Sequence, residues 1–176
     1  MSRTTRQGDV AETAFLARAT KEGFRVCSPY GIGCRYDSIL DNGLTRFLIQ
    51  VKSTRQLKRR DVYIVHSDRV LGSRFSPRVP YAESEVDFIV AYVIPEDTWY
   101  IIPIQALRGR RTMYLYSRDH KRRHMGVWEA FREKWDLFEQ HQTPDVVKLM
   151  ERIAAERAEG KALRGPRKRK EGLAIP

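Results

Sequence analysis

The dipeptide Asn42-Gly43, set between two strand-like runs at 35–41 (RYDSILD) and 44–53 (LTRFLIQVKS), constrains this chain more than any other feature. Both residues tolerate positive φ, so the pair marks a tight reversal joining antiparallel strands. A two-residue loop puts Asp41 opposite Leu44 and Asp37 opposite Leu48. Side chains alternate across a strand, so Asp37, Gln50 and Lys52 then share one face of the sheet. A three-residue loop would reverse the parity and send Asp37 to the other face, so everything read from that face depends on the register.

The face has a definite chemistry. The Asp37 carboxylate, the Gln50 amide oxygen and the backbone carbonyl near Val51 are hard oxygen donors, the kind that hold Mg²⁺ while leaving positions open for water and phosphate. Lys52 beside them is suited to orient or deprotonate an attacking water and to offset charge on a phosphorane-like transition state. Glu12 is an independent clue. Helical spacing over 8–22 puts it on the stripe of Phe15, Leu16 and Ala19 that should enter the core. A carboxylate there needs a partner, which a bound cation or Lys52 would provide; Arg18 or Arg35 would do so in a purely structural role.

These residues resemble the PD-(D/E)XK endonuclease superfamily, and within it the branch that contains an intron-encoded homing endonuclease and many bacterial relatives. The resemblance is carried by GDVAETAFLARATKEGF, SPYGIGCRYDSILDNG and FLIQVKS, continues through VDFIVAYVIPEDTWYIIPI, and covers most of residues 7 to 138. It implies an α/β, restriction-endonuclease-like fold whose mixed central sheet is flanked by helices, and hydrolysis of phosphodiester bonds in double-stranded DNA. Glu12, Asp37, Gln50 and Lys52 each fall on a motif position. The resemblance makes Asp37 and Gln50 ligands of Mg²⁺, has Glu12 steer metal or water from the helix, and gives Lys52 the water or the transition-state charge. Most of the superfamily has Asp or Glu where this chain has Gln50, which implies a weaker metal site; the homing branch uses Gln there. Two other readings stay open: a DNA-binding module that no longer cuts, and a structure-specific junction resolvase.

A nucleic-acid partner also follows from charge, because 33 Lys and Arg against 22 Asp and Glu give a formal net charge of +11. The excess is concentrated at 55–60, 108–111, 118–124 and 164–170. Arg55, Lys58, Arg59 and Arg60 directly follow Lys52, where a phosphate backbone would enter. With Arg35, Lys121, Arg122 and Arg123 they are the candidate DNA contacts. A palindromic target would need a symmetric homo-oligomer, a dimer or tetramer.

The 176 residues suit one nuclease-like domain at 1–142, a helical extension at 143–160 and a basic flexible tail at 161–176. No run is long and apolar enough to span a membrane, and the start lacks the apolar stretch of a secretory signal, which predicts a cytoplasmic protein. Cys27 and Cys34 are too few for a disulfide framework or a cysteine-rich zinc site. Along the chain, the pattern predicts a first helix closed by Gly23, strands at 24–27 and 61–66, and a loop over 67–82. Buried strands follow at 86–94 and 98–102, then a helical turn at 103–107 and a strand at 112–116 completing the sheet. Asp87 reads as a strand-end polar group or as a neighbour of Lys52. Val127, Phe131, Trp135 and Phe138 predict a helix over 126–140, with base stacking by Trp128 or Trp135 as an alternative use.

Overall fold

A computed structural model describes residues 3–31, 33–58, 61–71 and 76–139, with the single positions 148, 151 and 155. Helix α1 runs over Arg3–Lys21 and buries Ala11, Phe15 and Ala19, a stripe at four-residue spacing. Its end is closed by paired reverse bonds: Phe24 N donates to Ala19 O and Gly23 N to Thr20 O, each at 3.1 Å. That cap requires a residue in the left-handed region, and Gly23 has φ 92°.

The strands are β1 (Arg25–Cys27), β2 (Ser38–Asp41), β3 (Arg46–Thr54), β4 (Leu57–Lys58), β5 (Val62–His66), β6 (Asp68–Val70), β7 (Arg78–Pro80), β8 (Phe88–Val93) and β9 (Thr98–Pro103). A short helix α2 (Ile104–Leu107) precedes β10 (Thr112–Tyr116). The main sheet has the order β1-β2-β3-β8-β9, parallel between β3 and β8 and antiparallel elsewhere, the mixed sheet that the resemblance implies. Every residue of β8 and β9 is buried, as expected of continuous β-branched and aromatic runs covered on both faces. Phe88 sits at the middle of an aromatic cluster, with ring centroids 5.3 Å from Phe47 and 4.8 Å from Phe138. Truncating it to alanine would cost about 3–5 kcal/mol.

The β2–β3 loop has four residues, not two. Ser38 pairs with Ile49 and Asp41 with Arg46. The Asn42 side chain decides this: its Oδ1 accepts from the amides of Leu44 (2.9 Å) and Thr45 (2.7 Å), and its Nδ2 donates to the Phe138 carbonyl at 2.7 Å. Gly43 turns the chain at φ 88°. Two extra residues preserve parity, so the predicted face survives, and extending the pairing by one step brings Asp37 opposite Gln50 rather than Leu48.

Three other elements differ from expectation. Strand β10 does not complete the main sheet; it pairs with β5 in a second sheet of order β10-β5-β4. The free edge of β9 is taken instead by Arg132 and Glu133. Tyr100 bridges to Arg132, Glu133 N donates to Trp99 O at 2.8 Å, and Trp99 N donates to Glu133 Oε1 at 2.7 Å. That docking also explains why 126–140 is not a helix. Glu133 adopts φ 52°, which interrupts helical backbone, and the segment forms 3₁₀ turns at Arg123–Met125, Glu129–Phe131 and Trp135–Glu139. Phe131, Trp135 and Phe138 are still buried, and so is Trp128, which leaves neither indole a face for bases. Finally, the expected loop at 67–82 contains the β6–β7 hairpin. Asp68 locks it by accepting from Arg78 Nε and Nη2 at 2.9 and 2.6 Å.

Asp87 is a strand-end group: its Oδ2 accepts from Leu48 N at 2.7 Å and its own N–H returns to Leu48 O at 2.9 Å. Cys27 and Cys34 are free and exposed. Of the helical extension expected at 143–160 only Lys148, Glu151 and Ala155 are described, helical and exposed; the rest of it, the basic tail, and Arg59 and Arg60 lie outside the described residues. No helix among the described residues is long and apolar enough to cross a membrane.

Candidate active site

Strand β3 carries Gln50 and Lys52 on one face, and Asp37 stands immediately before β2 across from them. The Asp37 backbone N–H donates to Ile49 O at 2.8 Å, which anchors the residue to β3. Its Oδ2 accepts from the Val51 amide at 2.8 Å and from Gln50 Nε2. The same Gln50 nitrogen lies 3.4 Å from Val51 O. A carboxylate oxygen and a backbone carbonyl therefore converge on a single amide group.

Helix α1 brings Glu12 to the opposite side of this point. With Asp9, Thr13, Tyr36, Asp37 and the loop after β1 it lines an open recess of about 430 Å³. Among the described residues Glu12 makes no hydrogen bond or ion pair. Arg18, one structural partner considered for it, binds Glu22 and Glu133 instead, and Arg35, the other, faces Glu85 at 3.7 Å. Burial, followed by the neighbouring Asp37 and Asp9 charges, pushes the Glu12 carboxyl above its ordinary value, with Lys52 opposing. Burial also raises Asp37, in spite of the Val51 amide, Lys52 and Gln50. Lys52 is depressed by burial, while Asp37 pulls the other way. Its Nζ donates to the Tyr81 hydroxyl at 3.1 Å and enters none of the ion pairs among the described residues. Three half-buried charges thus stand close together without a direct counter-ion among the described residues, an arrangement typical of sites that await a charged ligand.

The donor chemistry fits a hard divalent cation. Asp37, Glu12, the Val51 carbonyl and the Gln50 side chain all offer oxygen donors, and the Asp37 carboxylate and the Val51 carbonyl both approach the Gln50 amide. No group of three or more His, Cys, Asp or Glu able to hold a metal occurs among the described residues, so a cation here would need neutral oxygens as well.

A groove of about 620 Å³ opens where β3 leaves this site, lined by Gln7, Ser53, Arg55, Lys58, His66 and Tyr114 among others. Gln7 Nε2 donates to Ser53 Oγ at 3.1 Å and joins the start of α1 to the groove floor. Of the candidate contacts, Arg55 and Lys58 line it. Lys121, Arg122 and Arg123 do not; Arg123 pairs with Glu129 at 3.5 Å. Sequence reasoning missed Tyr81 and Gln7, whose roles arise only when distant segments meet.

The family profile of PD-(D/E)XK endonucleases matches residues 2–137. This chain belongs to that family. A solved structure of a bacterial homing endonuclease, I-Ssp6803I, is similar to it at 30% identity with a TM-score of 0.71, covering 79% of this chain and 95% of that one. An Archaeoglobus fulgidus Holliday junction resolvase aligns at 17% identity and TM-score 0.40 over 70% of this chain and 93% of its own. Comparison with curated proteins finds no match. As a PD-(D/E)XK family member, the chain is a nuclease, and Glu12, Asp37, Gln50 and Lys52 are brought together around the middle of β3.

Proposed function

We propose that this PD-(D/E)XK nuclease is a Mg²⁺-dependent DNA endonuclease that hydrolyses phosphodiester bonds in duplex DNA, in the manner of a homing or restriction enzyme. The observation that carries the proposal is the convergence of the Asp37 carboxylate and the Val51 carbonyl on the Gln50 amide, with Glu12 and Lys52 alongside. In this reading Asp37, Gln50 and Glu12 hold the cation. Rotating the Gln50 amide by half a turn exchanges N–H donor for oxygen acceptor, and in that orientation its oxygen would join Asp37 and Glu12 as a ligand. Bound Mg²⁺ would supply electrophilic stabilisation of the phosphate.

The protein's own groups do the rest. The Val51 amide fixes the Asp37 carboxylate. Lys52, with no carboxylate partner to neutralise it, offers its charge to the phosphoryl oxygens and a hydrogen bond to the water that attacks them. Arg55 and Lys58 take the phosphate backbone along the groove, with Arg35 at the rim of the site. Similarity to a homing endonuclease supports DNA as substrate. A homo-oligomer, dimer or tetramer, would give it a symmetric target, and we place the enzyme in the cytoplasm.

The test is single-turnover cleavage of duplex DNA, including a randomised target library, with Mg²⁺ and with EDTA. Cleavage should require the metal, and Lys52→Ala should slow it by roughly 10² while duplex binding survives. Gln50→Glu should leave cutting intact or raise it. A protein that binds duplex but never cuts with Mg²⁺ or Mn²⁺ is a binding module, and the proposal fails.

A further inference from the structure

Tyr81 lies just beyond β7, and its hydroxyl oxygen accepts the hydrogen bond from Lys52 Nζ at 3.1 Å, while the ammonium sits 5.2 Å from the ring centroid. A lysine has a long flexible stem and loses considerable rotamer freedom when fixed, so an ammonium held in one place must be held by something. Neither Glu12 nor Asp37 holds it by a direct ion pair.

We infer that Tyr81 is a positioning residue for Lys52: the β6–β7 hairpin presents the phenol so that its oxygen and ring face fix the ammonium within the site. The inference rests on the role proposed for Lys52 and adds a residue to it.

The hairpin is built to keep the ring still. The Arg69 guanidinium lies 5.9 Å from the same ring centroid. Arg69 is itself held by Glu85 through bonds of 2.6 and 3.3 Å, and Glu85 also accepts the Ala82 amide at 3.0 Å. The Asp68–Arg78 pair locks the strands below. Tyr81 is therefore fixed on both sides, by a neighbour on β6 and by the turn that follows it.

A phenol is also chemically suited to this task. A carboxylate in its place would hold the ammonium but neutralise it. Burial and the nearby Asp37 charge push the Tyr81 hydroxyl up to about 12, so it stays neutral throughout the working range. The lysine is oriented with its charge left over for a phosphate. Because the Tyr81 oxygen accepts from Lys52, its own hydrogen is free to be donated elsewhere.

The experiment uses the full chain. Tyr81→Phe keeps the ring and its packing and removes only the oxygen. It should slow single-turnover cleavage roughly tenfold, as expected when a reacting group loses orientation, while the duplex Kd and the unfolding midpoint stay near wild type. Combining it with Lys52→Ala decides between positioning and an independent role. If Tyr81 acts through Lys52, the phenylalanine change has no further effect in the Lys52→Ala background. Cleavage by Tyr81→Phe at the wild-type rate, or a double variant whose losses multiply, overturns the inference. So does a Tyr81→Phe protein that cuts normally once a lowered duplex affinity is saturated. Wild-type protein that never cuts is a different result, and sinks the function rather than this assignment.

Discussion

Two sets of carboxylates in this molecule face opposite situations. Asp68 and Glu85 on the hairpin side each meet an arginine: Asp68 is held below its ordinary value by Arg78 against the cost of burial, and Glu85 by the Ala82 amide and then Arg69. Glu12 and Asp37 meet no arginine among the described residues, stand near one another, and are both held above their ordinary values, chiefly by burial. The first set fastens the fold. The second stores unfavourable charge where a cation would relieve it, the usual sacrifice of stability at a functional site.

The comparison breaks most visibly at Asp37. Asp37→Asn should reduce cleavage by roughly 10² or more through loss of a metal charge and preorganised contact. In metal-free protein it should leave the unfolding midpoint unchanged or higher, since it removes a desolvated charge beside Glu12. A clear loss of stability would show that Asp37 belongs with the fastening set. Glu85→Gln should do the reverse. The Arg69 side chain is only 15% exposed and would lose its carboxylate, so denaturant unfolding should report a loss of about 1–2 kcal/mol. Unchanged stability would remove the distinction.

Acid sharpens the contrast. Asp68 and Glu85 have lowered folded values, so their contribution is complete above the ordinary carboxylate range and is lost as pH falls through those lower values. Glu12 and Asp37 have raised values, so the protonated form favours folding, and their contribution declines as pH rises from the ordinary range through the raised values. Metal-free stability measured against pH should therefore fall on both sides, and Asp37→Asn should flatten only the higher limb. Mg²⁺ affinity should rise across that same limb, because ligation needs the ionised forms.

The smallest effect lies outside both sets. Arg55→Ala and Lys58→Ala should weaken binding to every duplex and make the slope of log affinity against log salt shallower by roughly 0.9 for each contact removed. A salt slope identical to wild type would take the groove out of the DNA path.

Legibility in the sequence followed how local each determinant is. The Gly23 cap, the buried runs at 88–93 and 98–103, and the parity that unites Asp37, Gln50 and Lys52 depend on neighbours or on alternation, and the fold agrees with them. The turn length was misread because the Asn42 side chain competes for backbone amides inside its own loop. The helix expected at 126–140 carries a correct apolar stripe, yet Glu133 finds better hydrogen bonds on the edge of β9, a partner 34 residues away that periodicity does not reveal. Tyr81 left no local signal at all, because it meets Lys52 only after the hairpin between them has formed.

The bond from Asn42 to the Phe138 carbonyl joins the first hairpin to the 3₁₀ turn at Trp135–Glu139, 96 residues later in the chain. Local pairing can form β2 and β3 early, but the clasp on their turn has to wait for the segment around Phe138 to be made and docked, since contacts so distant in sequence close late. A fragment released before that point would carry all of Glu12, Asp37, Gln50 and Lys52 with the turn beside them unsecured. For the DNA-cutting role proposed above, assembly in that order would hold back unfinished copies.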